Sequence, residues 1–229
     1  MDAGATSNRN NFIMINRRSY IAINLSLLAS AANPFTSFEH ALAAADDHDV
    51  LSRESVWNDP DIPALGNPKG DITFVEYFDY QCPICRAVHP DLSRVIREDG
   101  KVRLVSKSWP VFGEASIYAA EIALAAKYQS KFAEAHEALF AAKVSLRQSV
   151  VHDILSRAGV NVAKAASDLG ANRKAIEFVL ARNQQQAVAF GFLGTPGFIV
   201  GTFRVNGGLD ATGFRQVIAA ARAAQAKSQ

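Results

Sequence analysis

Residues 77–85, YFDYQCPIC, hold both cysteines of this 229-residue chain. Cys82 and Cys85 stand three positions apart, where an apolar, strand-like run gives way to a helical pattern. A helix that begins at Pro83 places both side chains on one face, with Cα atoms near the roughly 5.5 Å separation that a disulfide requires. Proline suits the first helical position, because its missing N–H has no intrahelical partner there. The spacing therefore predicts a redox-active dithiol.

The two cysteines are expected to have different roles. Cys82 precedes the helix, where free N–H groups and the positive end of the helix dipole favour the thiolate. Cys85 lies one turn inside and is expected to be buried, which suits a resolving cysteine that attacks a mixed disulfide at Cys82. The alternative is half of a zinc or copper site, since this spacing also binds metals. The chain has no third cysteine and its five histidines stand singly, so we expect no metal and no cofactor.

Composition and charge narrow the possible classes of function. The length and the 49% hydrophobic content suit one domain, or one domain that carries a large insertion. The formal net charge is only +2, and no basic stripe with interleaved aromatic residues is present. Nothing in the charge pattern predicts nucleic-acid binding.

The N-terminal residues 1–32 are expected to be a cleaved signal peptide. Arg17 and Arg18 precede an uncharged, mostly apolar run that ends among small residues. This run is shorter than the roughly 20 residues of a membrane span. The sequence therefore predicts a periplasmic protein, with the Sec and Tat routes both open and with Met1 or Met14 as the start.

The remaining chain divides by pattern into an arm and a folded domain. Residues 33–70 are alanine-rich and then dense in turn residues, and we expect an arm or linker there. Residues 71–78 predict a central strand, an amphipathic helix follows the cysteines, and 102–105 predict a second strand. Helical spacing then predicts five helices, and a hairpin and a last helix after Asp210 complete the order. The predicted helices are 114–128, 130–142, 149–158, 162–169 and 172–190, and the hairpin strands are 198–200 and 203–205.

Three ionisable residues near the cysteines need an explanation. Glu76 lies inside the apolar first strand, and we interpret it as a proton acceptor for Cys85 with a raised pKa, with an exposed edge-strand position as the alternative. Lys107 ends the second strand and is expected to reach Glu76 if the strands are parallel neighbours, or otherwise to be solvated. His89, four residues after Cys85, is interpreted as facing solvent, with a position facing the active site as the alternative.

This order, β-α-β, helical insertion and β-β-α, resembles the thioredoxin fold, in particular the DsbA-like thiol:disulfide oxidoreductases of the Com1 type. The resemblance covers about residue 56 to the C-terminus. The matching parts are FDYQCPIC, the buried acid at Glu76, the helix proline Pro90, Lys107 in VSKSWP, and GTPGF. The expected fold class is α/β, with a thioredoxin-like domain at 71–229 and an inserted helical subdomain at about 114–190.

The resemblance implies disulfide exchange with folding exported proteins that contain cysteines, and recycling by a membrane redox partner. It implies that Pro196 is cis and lies against Cys82, and that Thr195 pairs with an extended substrate segment. Pro83 and Ile84 fill the variable dipeptide and are implied to contact substrate. This dipeptide differs from that of the best-known oxidant, and Thr195 occurs in isomerases and reductases of the superfamily. An isomerase or reductase, or a periplasmic Cu(I)-binding protein, therefore remains an alternative.

Overall fold

A five-stranded sheet forms the centre of residues 50–227, the part of the chain that the computed structural model describes. The predicted signal peptide and the first part of the predicted arm lie outside the described residues. The strands are β1 (Leu65–Gly66), β2 (Ile72–Phe78), β3 (Val102–Ser108), β4 (Gly197–Val200) and β5 (Phe203–Asn206), and their order across the sheet is β1-β3-β2-β4-β5.

Strand β2 occupies the middle of this sheet. It pairs in parallel with β3 and antiparallel with β4. All of its residues except Thr73 are buried, as expected of a β-branched and aromatic run covered on both faces. Glu76 pairs with Ser106 on one side and Phe198 on the other, so the alternative of an exposed edge position is wrong.

The helices follow the predicted order, which confirms the α/β fold with an inserted helical subdomain. Short α1 precedes the sheet, α2 follows the cysteines, five helices and one 3-10 turn form the insertion, and α8 ends the described chain. The bounds are α1 (Arg53–Val56), α2 (Pro83–Asp99), α3 (Glu114–Ala125), the 3-10 turn (Ala126–Gln129), α4 (Phe132–Phe140), α5 (Gln148–Arg157), α6 (Val162–Ala171), α7 (Arg173–Ala189) and α8 (Ala211–Ala226).

Both faces of the sheet are covered. On one face α2 and α8 enclose an apolar cluster in which Phe74, Phe198 and Phe214 contact one another edge to face. On the other face Val75 and Tyr77 pack in the larger cluster, which extends through the helical insertion. The sheet therefore fixes the position of α2 relative to the insertion.

Part of the predicted linker belongs to this packed structure. Val56, Asp59 and Ile62 are buried, and Val56 and Ile62 join the larger apolar cluster. The turn residues of this linker prevent a long helix, but the segment still packs against the core.

Candidate active site

Cys82 stands at the N-terminus of α2 and Pro83 occupies the first turn. The Cys82 sulfur accepts a hydrogen bond from the Cys85 backbone N–H at 3.4 Å and lies 3.3 Å from the Thr195 carbonyl oxygen, to which it donates when it is protonated. Both cysteines are buried free thiols. The helix start therefore holds one sulfur between the helical N–H groups and the loop that precedes β4.

The surroundings shift the pKa values of the two thiols in opposite directions. The pKa of Cys82 falls to about 6, chiefly because the Cys85 side chain hydrogen-bonds to its sulfur, with further backbone contributions at the helix start and with burial opposing the shift. The pKa of Cys85 rises well above its usual range because it is buried, and its bond to Cys82 and the charge of Glu76 add to the increase. At neutral pH Cys82 is mainly thiolate and Cys85 is mainly thiol.

Asp79 anchors the turn that leads to the cysteines, and the sequence analysis did not single it out. Its buried carboxylate accepts four hydrogen bonds at 2.7 to 3.0 Å, from the backbone N–H groups of Gln81, Val111 and Phe112 and from the Ser116 hydroxyl. Its position at the end of a buried strand, directly before the active-site turn, is a signal that the sequence contains. Asp79 joins the active-site turn to the start of the insertion.

The loop before β4 lies against the cysteines. The Thr195–Pro196 peptide bond is cis, and the Thr195 carbonyl oxygen is the group that contacts Cys82. Pro83 and Ile84 directly follow Cys82 and are exposed, with Ile84 52% exposed. The structure therefore brings Thr195 into contact with Cys82, while contact of Thr195, Pro196, Pro83 and Ile84 with substrate stays a prediction.

Glu76 is completely buried in β2, and burial raises its pKa to about 7. Neither carboxylate oxygen has a hydrogen-bond partner among residues 50–227. The carboxylate is one of the charges that raise the pKa of Cys85, so it acts on that thiol electrostatically. Its predicted role as proton acceptor for Cys85 stays a prediction.

Lys107 does not pair with Glu76, and that expectation was wrong. β3 is the parallel neighbour of β2, but Lys107 is in register with Tyr77. Side chains alternate between the two faces of a sheet, so Lys107 and Glu76 point to opposite faces. The Lys107 ammonium instead donates to Asp59 at 2.5 Å and to the Ser55 carbonyl oxygen at 2.8 Å. Its predicted catalytic role thus has no support from contact with Glu76.

His89 was predicted to face solvent, and that prediction was wrong. Its ring is buried against Phe140 in a parallel stack with centroids 3.9 Å apart, and its Nε2 lies 3.1 Å from a carboxylate oxygen of Glu137. His136, which the sequence analysis left without a role, is also buried beside it. The structure therefore brings two histidines beneath the active site.

The lowered pKa of Cys82 is directly measurable. In the Cys85→Ser variant we expect the ultraviolet absorbance of the thiolate to titrate with a midpoint near 6, because a hydroxyl can still donate to the Cys82 sulfur. In Cys85→Ala that donor is lost, so the midpoint should move upward. Equal midpoints in the two variants, or a midpoint at the value of a free thiol, would contradict the assignment of the hydrogen bond as the main cause.

A thioredoxin family model matches residues 58–220, so the chain belongs to the thioredoxin family. Its structure is similar to a thioredoxin-like oxidoreductase from Silicibacter pomeroyi DSS-3, with 36% identity, a TM-score of 0.71, and coverage of 75% of this chain and 98% of that one. It is also similar to the thiol-disulfide exchange protein alpha-DsbA2 from Wolbachia pipientis, with 25% identity, a TM-score of 0.69, and coverage of 73% and 91%. These matches confirm the resemblance to DsbA-like proteins and the thioredoxin fold.

Among curated proteins, the sequence is 29% identical over 153 residues to Na(+)/H(+) antiporter NhaA 1 from Salinispora arenicola. The match covers 65% of this chain and 23% of the antiporter, so the chain spans less than a quarter of that relative's length. Within residues 50–227, none of the helices combines the length and apolar character that crossing a membrane requires.

Proposed function

We propose that the protein is a thiol:disulfide oxidoreductase that exchanges disulfides through Cys82 and Cys85. The observation that carries this proposal is the Cys82 sulfur, held at the start of α2 with its pKa lowered to about 6 and beside a buried thiol three residues away. A thiolate attacks disulfides and is also the better leaving group, so the site suits both directions of exchange. The disulfide exchange named for the similar Wolbachia protein supports the same chemistry.

The substrates are proposed to be unfolded or folding proteins with cysteines. Large apolar side chains are exposed in the segments that adjoin the active-site turn. Ile84 lies two residues after Cys82, the backbone N–H groups of Val111 and Phe112 bond to Asp79, and Leu193 lies two residues before Thr195, which contacts Cys82. Exposed apolar side chains around a reactive group suit a flexible polypeptide segment, whose own apolar residues are accessible before folding. The Thr195–Pro196 loop, which contacts the sulfur, is proposed to pair through its backbone with such a segment.

Location and recycling complete the proposal. The predicted signal peptide at 1–32 supports export to the periplasm, where disulfides persist. A dithiol that transfers its disulfide must be reoxidised, and one that reduces must be rereduced, so a membrane redox partner is proposed to restore the active form. Whether the protein works as an oxidant or as an isomerase or reductase depends on its reduction potential.

The test is an exchange assay with the purified protein and a peptide that contains two cysteines. The oxidised protein is expected to transfer its disulfide to the reduced peptide, with one new disulfide formed for each one lost. Equilibration with glutathione then gives the reduction potential and the direction of the reaction. If exchange is absent while Cu(I) binds with a stoichiometry that requires both thiols, Cys82 and Cys85 form a copper-binding site instead.

A further inference from the structure

A second cluster of reactive side chains lies beneath the cysteines. Glu76 on β2, His89 on α2 and His136 on α4 are all buried, and one potential ligand atom of each lies within 4.8 Å of the others. The three residues come from the central strand, the active-site helix and the insertion. Residues so far apart in sequence converge here only because of the tertiary fold.

Four polar side-chain atoms of these three residues have no hydrogen-bond partner in the described part of the chain. They are both Glu76 carboxylate oxygens, His89 Nδ1 and His136 Nε2, and all are buried. A buried polar atom without a partner destabilises the native state, and a charged one does so more strongly. Four such atoms in one cluster indicate a ligand that satisfies them together.

The other nitrogen of each imidazole is held from outside the cluster. His89 Nε2 lies 3.1 Å from a Glu137 carboxylate oxygen and 3.2 Å from the Ser93 hydroxyl, and in the tautomer whose Nε2–H donates to that carboxylate the lone pair is on His89 Nδ1. His136 Nδ1 lies 3.0 Å from the Tyr80 hydroxyl, and donation to that oxygen leaves the lone pair on His136 Nε2. Outer hydrogen bonds of this kind orient histidines that ligate metals.

We propose that Glu76, His89 and His136 bind one divalent first-row transition-metal ion, with zinc as the simplest case. Two imidazoles and a carboxylate are a ligand set typical of zinc and iron, and their nitrogens disfavour calcium and magnesium. Atoms up to 4.8 Å apart can share a centre at up to about 2.8 Å, so small side-chain rotations bring them to the roughly 2.1 Å of zinc–nitrogen bonds. A solvent molecule completes the coordination.

This site differs from the copper half-site considered for the cysteines, because it uses neither thiol. A bound ion would link β2, α2 and α4 and so hold the insertion against the active-site helix. It would also occupy the Glu76 carboxylate, so metal binding and proton acceptance by that group exclude each other. The inference does not depend on the proposed redox function.

The test uses the full chain with Cys82 and Cys85 both replaced by serine, so that thiolates cannot bind the metal. We expect one equivalent of Zn²⁺ to bind in equilibrium dialysis and to raise the melting temperature, because an ion that binds only the native state stabilises it. Co²⁺ should give visible bands of a nitrogen and oxygen site, without thiolate charge transfer.

Substitutions in this background identify the ligands. His89→Gln and His136→Gln should each lower the Zn²⁺ affinity at least tenfold and abolish the metal-dependent rise in melting temperature. Glu137→Gln changes a 56% exposed side chain that supports His89, so it should leave the fold intact and weaken binding about 10- to 100-fold. His152→Gln is the matched control, because His152 bonds to Tyr118 outside the cluster, and its affinity should equal that of the parent.

Several results would overturn the proposal. One is the absence of stoichiometric Zn²⁺ binding by the variant in which only Cys82 and Cys85 are replaced. The others are a Zn²⁺ affinity that is unchanged in the folded Glu137→Gln variant, or equal losses of Zn²⁺ affinity in His136→Gln and His152→Gln. Disulfide exchange by the wild-type protein is measured separately, so failure of the metal site and failure of the redox function give different results.

Discussion

Cys85→Ser is expected to accumulate a mixed disulfide at Cys82, whereas Cys82→Ser should lose exchange down to the uncatalysed background. In the first variant the Cys82 thiolate still attacks a substrate disulfide, forming a bond to one substrate sulfur and releasing the other as a thiol. The second attack, by which Cys85 would displace that substrate sulfur and close the Cys82–Cys85 disulfide, is no longer available. Mass spectrometry of the protein after mixing with a disulfide-linked peptide gives the site and amount of adduct.

The opposite pattern would reverse the assignment of roles. Cys85 is completely buried and its pKa is raised, so the Cys82→Ser variant should show almost no adduct under the same conditions. A control with Ser93→Ala, a change on the same helix that spares both sulfurs, should turn over like the wild type. Adduct found mainly on Cys85, or rapid turnover by Cys85→Ser, would show that Cys82 is not the attacking sulfur or that Cys85 does not resolve.

The sequence predicted the fold because its signals are local and agree with one another. A continuous run of β-branched and aromatic residues predicts β2, Pro83 marks the start of α2, and the helical spacing of the insertion is regular. The spacing of the cysteines also predicts which sulfur caps the helix. Each of these inferences needs only neighbours within a few positions of the chain.

The errors in the site come from side-chain direction and from distant contacts. Lys107 lies on the parallel neighbour of β2 as expected, but one step in register turns it to the other face of the sheet, and sequence does not give the register. For His89 the signal was present, because a residue four positions after Cys85 shares its helix face, and Cys85 was expected to be buried. The cluster with Glu76 and His136 joins three separate elements, so it required the structure.

Lys107 pairs with Asp59 instead of Glu76, and loss of this buried ion pair is expected to lower the stability of the fold strongly. Asp59 and Lys107 are fully buried, with 2.5 Å between Oδ2 and Nζ, and Arg182 donates to both Asp59 oxygens at 2.7 and 2.8 Å. Asp59→Asn keeps the shape but leaves two cations facing a neutral amide. Breaking a buried pair in this way costs about 3 to 5 kcal/mol, because the remaining charge stays desolvated. For a chain of this size that corresponds to a fall of about 6 to 20 °C in melting temperature.

The loss of stability caused by Asp59→Asn is expected to depend on pH. Burial lowers the pKa of Lys107 to about 8 in the native state, below its value of 10.5 when exposed, and the charge of Asp59 opposes this shift. Without that charge the native pKa falls further, so Lys107 in the variant loses its proton at lower pH. The unfolded chain then binds more protons than the native one, and the variant gains stability relative to wild type as pH rises towards about 8. Denaturant unfolding at pH 6 should therefore give a larger difference than at pH 8.5.

Two further variants separate this ion pair from a general effect of losing an aspartate. Asp61→Asn removes a 43% exposed carboxylate that also pairs with Arg182, at 3.1 Å, and should cost less than about 1 kcal/mol. Lys107→Met in the Asp59→Asn background removes one of the cations left without a partner, so it should recover part of the lost stability and reduce the pH dependence. If Asp59→Asn were as mild as Asp61→Asn, or if Lys107→Met added its own full cost to that of Asp59→Asn, the buried pair would not be the source of the stability.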